Sequence, residues 1–210
     1  MAVGVVALVA VDGLLAFKRW QYGRELARLR AQMTEVERRR ADAIVESKEN
    51  RVQLMMALAR RDAVGDQRLN LAVSAEKGAM YLQREGAQLR EMPVKIGREA
   101  TIGTAPDQVR LVPPLGQRVV VKVVDSSYAW EVPAWVWIHR GLTPTADRRV
   151  EGALGPVALF LDGGAIVYSR PETGPLADAA YVLPGAVRAE PADLLAIRES
   201  LTPGMAAYFY

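Results

Sequence analysis

His139 is the only imidazole in a chain of 210 residues that contains no cysteine. That inventory narrows the available chemistry at once. A thiolate nucleophile, a disulfide and a thiolate metal site are excluded, and one histidine cannot build a multi-histidine metal centre. His139 is read as an ordinary strand or surface residue. Ser169, beside Tyr168, carries a nucleophile's hydroxyl, but the sequence offers it no histidine base. Asp107, Asp125, Asp162 and Asp193 fall at turns or near a helix start, without metal-ligand spacing. Gly163-Gly164 reads as a turn between two strands rather than a phosphate cradle. No metal and no cofactor is expected, and the chain is expected not to be an enzyme.

The elements that must carry these residues fall into two styles. Half of the residues are hydrophobic and about a quarter are charged, a balance that excludes a disordered chain. The formal charge of +3 is unevenly spread. Residues 18–62 hold 12 Lys/Arg against 7 Asp/Glu, net +5, while residues 63–210 hold 15 against 16, net −1. With no nucleic-acid-binding motif beside it, the basic segment gives no reason to expect a nucleic-acid partner.

Residues 2–17 are apolar except for Asp12. At 1.5 Å per residue they cover about 24 Å of a roughly 30 Å hydrocarbon core. Snorkelling by Lys18 and Arg19, with Trp20 and Tyr22 at the interface, closes the gap. Residues 1–22 are therefore expected to form a transmembrane anchor rather than a cleaved leader, since no positive charge precedes the apolar run. Lys18, Arg19, Arg24, Arg28 and Arg30 follow that run closely. By the positive-inside rule they place the N-terminus outside and the rest in the bacterial cytoplasm, with a periplasmic domain as the alternative. Asp12 in apolar surroundings, beside the small Gly13, reads either as a contact with another membrane subunit or as an acid near the non-cytoplasmic surface.

Residues 23–62 are rich in helix formers and contain no proline. Tyr22, Leu26, Leu29, Met33 and Val36 follow a 4-3-4-3 spacing, the seam of a coiled coil or a groove-binding helix. A second apolar stripe runs through Ile44, Val45, Val52, Met55, Met56 and Ala59. Counted from Lys18 to Asp62, 45 helical residues would make a rod of about 67 Å, which calls for a partner, a second copy or another protein; the Arg38–Arg40 run reads as a solvated face or as a contact with lipid phosphates or an acidic partner surface. A linker is expected at 63–67.

From residue 68 the sequence becomes mainly β. Leu69–Ser74, Met80–Arg84, Leu89–Ile96, Arg118–Val124, Trp130–His139, Val157–Leu161 and Ala165–Tyr168 read as strands, with a hairpin turn at Glu85-Gly86. Pro191–Leu201 reads as a helix. Trp130, Trp135 and Trp137 are expected on one strand, as a buried face or an aromatic docking face.

The order of short motifs over residues 68–210 resembles the catalytic domain of the L,D-transpeptidases, the enzymes that cross-link bacterial peptidoglycan. Tyr81–Gly86 running into Pro93-Val94-Lys95-Ile96-Gly97 resembles that family's opening hairpin and Pro-Val-x-x-Gly turn. Pro114-Leu115-Gly116, Trp130-Glu131-Val132-Pro133 and Leu154-Gly155-Pro156 are similar to its Thr-Pro-x-Gly, Trp-x-x-Pro and Pro-Leu-Gly motifs. Pro191–Leu195 and Thr202-Pro203-Gly204-Met205 resemble its closing helix and final strand. Leu183-Pro184-Gly185-Ala186-Val187-Arg188 is similar to its Ser-His-Gly-Cys-Ile/Val-Arg signature, with Gly185 and Arg188 matching. The resemblance puts Ala186 at the cysteine position, Pro184 at the neighbouring histidine and Tyr168 at the upstream histidine. The fold it implies is a mainly β, L,D-transpeptidase-like domain preceded by one transmembrane helix continuing into a long α-helix.

These readings imply a disarmed, membrane-anchored subunit that braces a larger membrane complex, a bioenergetic one among the candidates. Its partners would be other subunits, membrane lipids and, through the long helix, a second copy. The alternatives are a peptidoglycan-binding pseudoenzyme on the outer face and an active cell-wall transpeptidase.

Overall fold

The computed structural model describes residues 22, 24, 35–103 and 108–210. The expected anchor at 1–22, Tyr22 apart, lies outside these residues, as do Asp12, Gly13, Leu26, Leu29, Met33 and Asp107. Among the described residues no helix is long and apolar enough to cross a membrane. The chain divides into two units, Met1–Val52 and Gln53–Tyr210.

Helix α1 spans Glu35–Gly65, and the boundary between the units falls within it. In the first unit Val36, Ile44, Val45 and Val52 are exposed, as is Tyr22. In the second unit the last turns of α1 are buried: Ala59 and Ala63 are 2% and 0% exposed. Ala63 packs with Ala72, Ala79 and Ala206, small residues that let the helix approach the sheet closely, and with Tyr81 and Tyr208. The stretch read as a linker at 63–67 thus holds the last helical residues, Ala63–Gly65, and then Asp66, which is fixed to the sheet. Gln83 Nε2 donates to the Ala63 carbonyl at 2.7 Å, the Glu85 amide donates to the Asp66 carbonyl at 3.2 Å, and the Tyr208 hydroxyl donates to the Asp66 carboxylate at 3.0 Å.

The second unit is built on an eight-stranded closed barrel. Its strands are β1 (Asn70–Ser74), β2 (Ala79–Arg84), β3 (Ala87–Ile96), β6 (Gly116–Asp125), β9 (Val157–Leu161), β10 (Ile166–Ser169), β11 (Val187–Ala189) and β12 (Ala206–Phe209). They close in the order β1-β12-β6-β9-β10-β11-β3-β2. The pairs β1·β12 and β10·β11 are parallel and the rest antiparallel. Glu85 and Gly86 both take positive φ, 54° and 76°, as a two-residue hairpin of type I′ requires. Two small two-stranded antiparallel sheets are separate from the barrel sheet, β4 (Ala100–Ile102) with β5 (Val109–Leu111), and β7 (Ala129–Glu131) with β8 (Arg149–Glu151).

The period-2 geometry of the strands divides the core in two. Val157, Leu159 and Leu161 of β9, Val167 of β10 and Val187 of β11 point into the barrel, joining Leu71, Met80, Met92 and Phe209. Their neighbours Ala158 and Tyr168 point the other way, into a second cluster with Val132, Val136, Leu154, Leu176, Leu183 and Ala186. Burial on both faces explains why β9 and β10 read as unbroken apolar runs rather than alternations.

The strand expected at Trp130–His139 is corrected: only Ala129–Glu131 is extended, and α2 spans Ala134–His139. Pro133 is the cause. It cannot donate to a ladder, its φ is −57°, and its carbonyl accepts the Val136 amide at 2.9 Å to open a helical turn. The helix expected over Pro191–Leu201 is α3 (Pro191–Ala196) followed by a 3-10 turn at Arg198–Ser200.

Candidate functional site

The turn Leu183–Ala186 enters β11 and forms part of the wall of an open cleft of about 610 Å³. Trp130, Trp135, Phe160 and Ile166 give the cleft an aromatic and apolar lining, and Arg110 and Arg118 add guanidinium groups. Gly185 takes φ +71°, which suits glycine, and a Cβ there would lie 3.2 Å from the Val112 carbonyl oxygen. The Ala186 amide donates to the Leu183 carbonyl at 3.1 Å, closing the turn, and the Gly97 amide donates to the Ala186 carbonyl at 2.8 Å. Gly97 approaches so closely that a Cβ there would lie 1.9 Å from the Leu183 carbonyl oxygen. The two glycines are thus required by geometry: one by its dihedral, the other by backbone contact.

Two side chains fix this turn and the loop before it from behind. Tyr168 and Arg188 are paired in register on the parallel strands β10 and β11 and therefore project to the same side of the sheet. Tyr168 is fully buried, and its hydroxyl accepts the Leu183 amide at 3.0 Å. Burial pushes the phenol above its usual range, while the Leu183 amide and the nearby Arg188 charge pull it down. The hydroxyl stays protonated at neutral pH. Arg188, 2% exposed, spreads its guanidinium over three backbone carbonyls: those of Asp178 at 3.2 Å, Ala179 at 2.8 Å and Tyr181. A buried cation is thereby satisfied by loop carbonyls, and the loop 178–181 takes its shape from them.

The residues expected at the transpeptidase family's catalytic positions are all at this place. Ala186 is 2% exposed and packs in the second core cluster, Pro184 lines the cleft, and Tyr168 ties the turn from below. Ser169 is no free hydroxyl: its Oγ donates to the Val157 carbonyl at 2.8 Å and accepts the Val157 amide at 2.9 Å. Gly155, opposite it, leaves room where a Cβ would meet the Ser169 carbonyl at 2.3 Å. Asp162 accepts the Val119 amide at 2.7 Å, Asp125 caps its own turn through Ser127, and Asp193 pairs with Arg90 at 3.3 Å. Gly163 and Gly164, with φ of 71° and 82°, make the tight connection from β9 to β10. Among the described residues no three His, Asp or Glu side chains gather as metal ligands.

His139 is where sequence reasoning missed most. It is exposed, as the surface reading expects, but sits at the end of α2 rather than in a strand, with Nδ1 3.1 Å from the Tyr181 hydroxyl. Together with Tyr181 and Pro184 it lines a second pocket of about 430 Å³. Tyr181 is held from three sides: its carbonyl by Arg188, its ring under the Arg140 guanidinium at 4.6 Å, and its hydroxyl at His139. Arg140 also pairs with the Asp178 carboxylate at 3.0 Å and donates to the Pro175 carbonyl at 3.1 Å. No pattern in the sequence links position 139 to position 181, because three strands, β8, β9 and β10, lie between them in the chain.

No protein-family model matches the sequence, and no curated protein matches it. Solved structures do. The chain is similar to an L,D-transpeptidase from Xylanimonas cellulosilytica (residues 123–326 of that protein), at 14% identity and a TM-score of 0.46 over 69% of this chain and 61% of that one. It is similar to L,D-transpeptidase 1 of Mycobacterium tuberculosis, at 17% identity and a TM-score of 0.42 over 67% and 60%. A C442S L,D-transpeptidase of Enterococcus faecium matches at 14% identity and a TM-score of 0.44 over 69% and 50%. The chain thus spans about 60% or less of the length of these proteins. The expectation that the chain is not an enzyme is corrected to this extent: the solved structures that it is similar to are of enzymes, a likeness that bears on the fold alone.

Proposed function

We propose that the chain is a structural and assembly subunit that braces a larger membrane protein complex from the cytoplasmic side. Helix α1 is its docking element, and residues 1–22 are its membrane anchor. The observation that supports this reading most is the surface of α1 in the first unit. Val36, Ile44 and Val45 are 60%, 56% and 54% exposed, on a part of the helix whose other exposed positions are mostly charged. Large aliphatic side chains left in water along one helix mark a surface made for contact. Tyr22 and Val36 of the expected seam are both exposed, and Asp12, Gly13, Leu26, Leu29 and Met33 complete the proposed contacts.

The test is extraction of the tagged full-length chain in mild detergent and identification of the subunits that come with it. The double variant Val36→Asp/Ile44→Asp should release those subunits while the barrel keeps its thermal transition. Retention of the same subunits by the variant would sink the reading.

The open cleft at Leu183–Ala186 favours a second reading, in which the barrel lies outside the membrane and holds a peptidoglycan stem peptide. A C-terminal reporter active only in the periplasm, together with saturable binding of a stem peptide, would establish it. Turnover of that peptide would make the cleft an active site working without a thiol, because the sequence contains none.

A further inference from the structure

The pocket beside His139 lies across the 180–184 segment from the cleft, and Pro184 borders both. At about 430 Å³ it falls within the range of small-molecule sites. Its charged lining is unevenly compensated. The Glu99 carboxylate is taken by Arg110, and Asp178, behind Tyr181, is taken by Arg140. Arg98 lines the same pocket, is exposed, and has no partner among the described residues.

The imidazole is presented by a prepared support. Burial pushes the Tyr181 phenol up to about 12, so it keeps its proton at neutral pH, and its oxygen lies 3.1 Å from His139 Nδ1. With the phenol as donor to Nδ1, the ring's N–H is on Nε2, the nitrogen that Tyr181 does not engage. Arg188 and Arg140 hold Tyr181 in place, so the orientation of the ring is set before any ligand arrives. An N–H donor and an uncompensated guanidinium on one concave wall are the two elements of oxyanion recognition.

We propose that this pocket is a receptor site for a small oxyanion, a carboxylate or a phosphate group, held between the Arg98 guanidinium and the His139 imidazole. The site does not involve α1 and shares only Pro184 with the cleft, and the proposal stands whichever function the chain serves.

The single histidine makes the test direct, since the full-length chain has one imidazole signal. That signal is followed by NMR near neutral pH while inorganic phosphate, and separately acetate, is added at ionic strength held constant with chloride. A saturable shift is expected with at least one of them. Saturation by phosphate alone assigns a phosphoryl ligand, by acetate alone a carboxylate, and by both a general oxyanion site. Arg98→Ala should weaken binding about tenfold or more, with Arg98→Lys between the two. Arg98 is exposed, so the variants should leave the amide spectrum otherwise unchanged. A shift that never saturates, that chloride reproduces, or that survives intact in Arg98→Ala overturns the proposal.

Discussion

The Tyr168 hydroxyl accepts the Leu183 amide at 3.0 Å from a fully buried position, so a strand residue anchors the turn that leads into the next strand. Replacing the hydroxyl with hydrogen leaves that amide unpaired in an apolar cluster. Tyr168→Phe should lower stability by about 1–3 kcal/mol in urea titrations of the full chain. It should also raise the hydrogen-exchange rate of the Leu183 amide beyond the global effect. Wild-type exchange at Leu183 would show that the bond does not hold the turn.

Arg188 offers a larger effect by the same logic. Its guanidinium satisfies the carbonyls of Asp178, Ala179 and Tyr181, and no neutral side chain of similar length can replace three donors. Arg188→Met is expected to cost about 3 kcal/mol. The loss should be local first, with amides 178–183 exchanging before the barrel strands. Because Arg188 fixes the Tyr181 backbone, the variant should also shift the His139 ring signal. An unshifted signal would show that the two ends of this network are uncoupled.

Gly97→Ala tests the backbone contact beneath the signature turn. The added Cβ would lie 1.9 Å from the Leu183 carbonyl oxygen, a clash with backbone that no rotamer relieves. A penalty of at least about 3 kcal/mol is expected, at or beyond the upper end of ordinary overpacking. Gly65→Ala is the control, since nothing lies within 4 Å of a Cβ there. Equal stabilities for the two variants would contradict the described approach of Gly97 to Leu183.

The join between α1 and the barrel should respond to acid and to base. Burial raises the Asp66 carboxyl, but the Arg68 amide and guanidinium and the Tyr208 hydroxyl outweigh it and hold the group below its usual value. A lowered folded pKa contributes stability that is present above the ordinary carboxylate range and lost as pH falls through the folded value, below about pH 4. Tyr208 is displaced the other way, pushed up to about 12, chiefly by burial and then by Asp66. Its contribution is complete below about pH 10 and fades as pH climbs towards 12. Asp66→Asn should flatten the acid limb of the thermal midpoint against pH, and Tyr208→Phe the alkaline limb. Unchanged limbs in both variants would exclude the pair as the source.

The legible parts of this fold were local. Glu85-Gly86 between two apolar runs gave the β2–β3 hairpin directly, and Gly163-Gly164 gave the β9–β10 connection. The alternation of Trp135 and Trp137 misled, because a proline two residues earlier turned an apparent strand into a helical turn. Nothing local could reveal that Arg188 caps the carbonyls of a loop 7 to 10 residues before it, since arginines are mostly solvated. The meeting of His139 with Tyr181, 42 positions apart, depends wholly on packing.

The parallel pairing of β1 with β12 has a consequence for how the barrel comes into being. The first strand receives one of its two neighbours only when residues 206–209 arrive, and β6 waits for the same segment. During synthesis the sheet therefore stands open along one seam until nearly the whole domain has been made. A ribosome stalled before residue 206 would hold a chain with two unpaired strand edges, exposed to any other strand nearby.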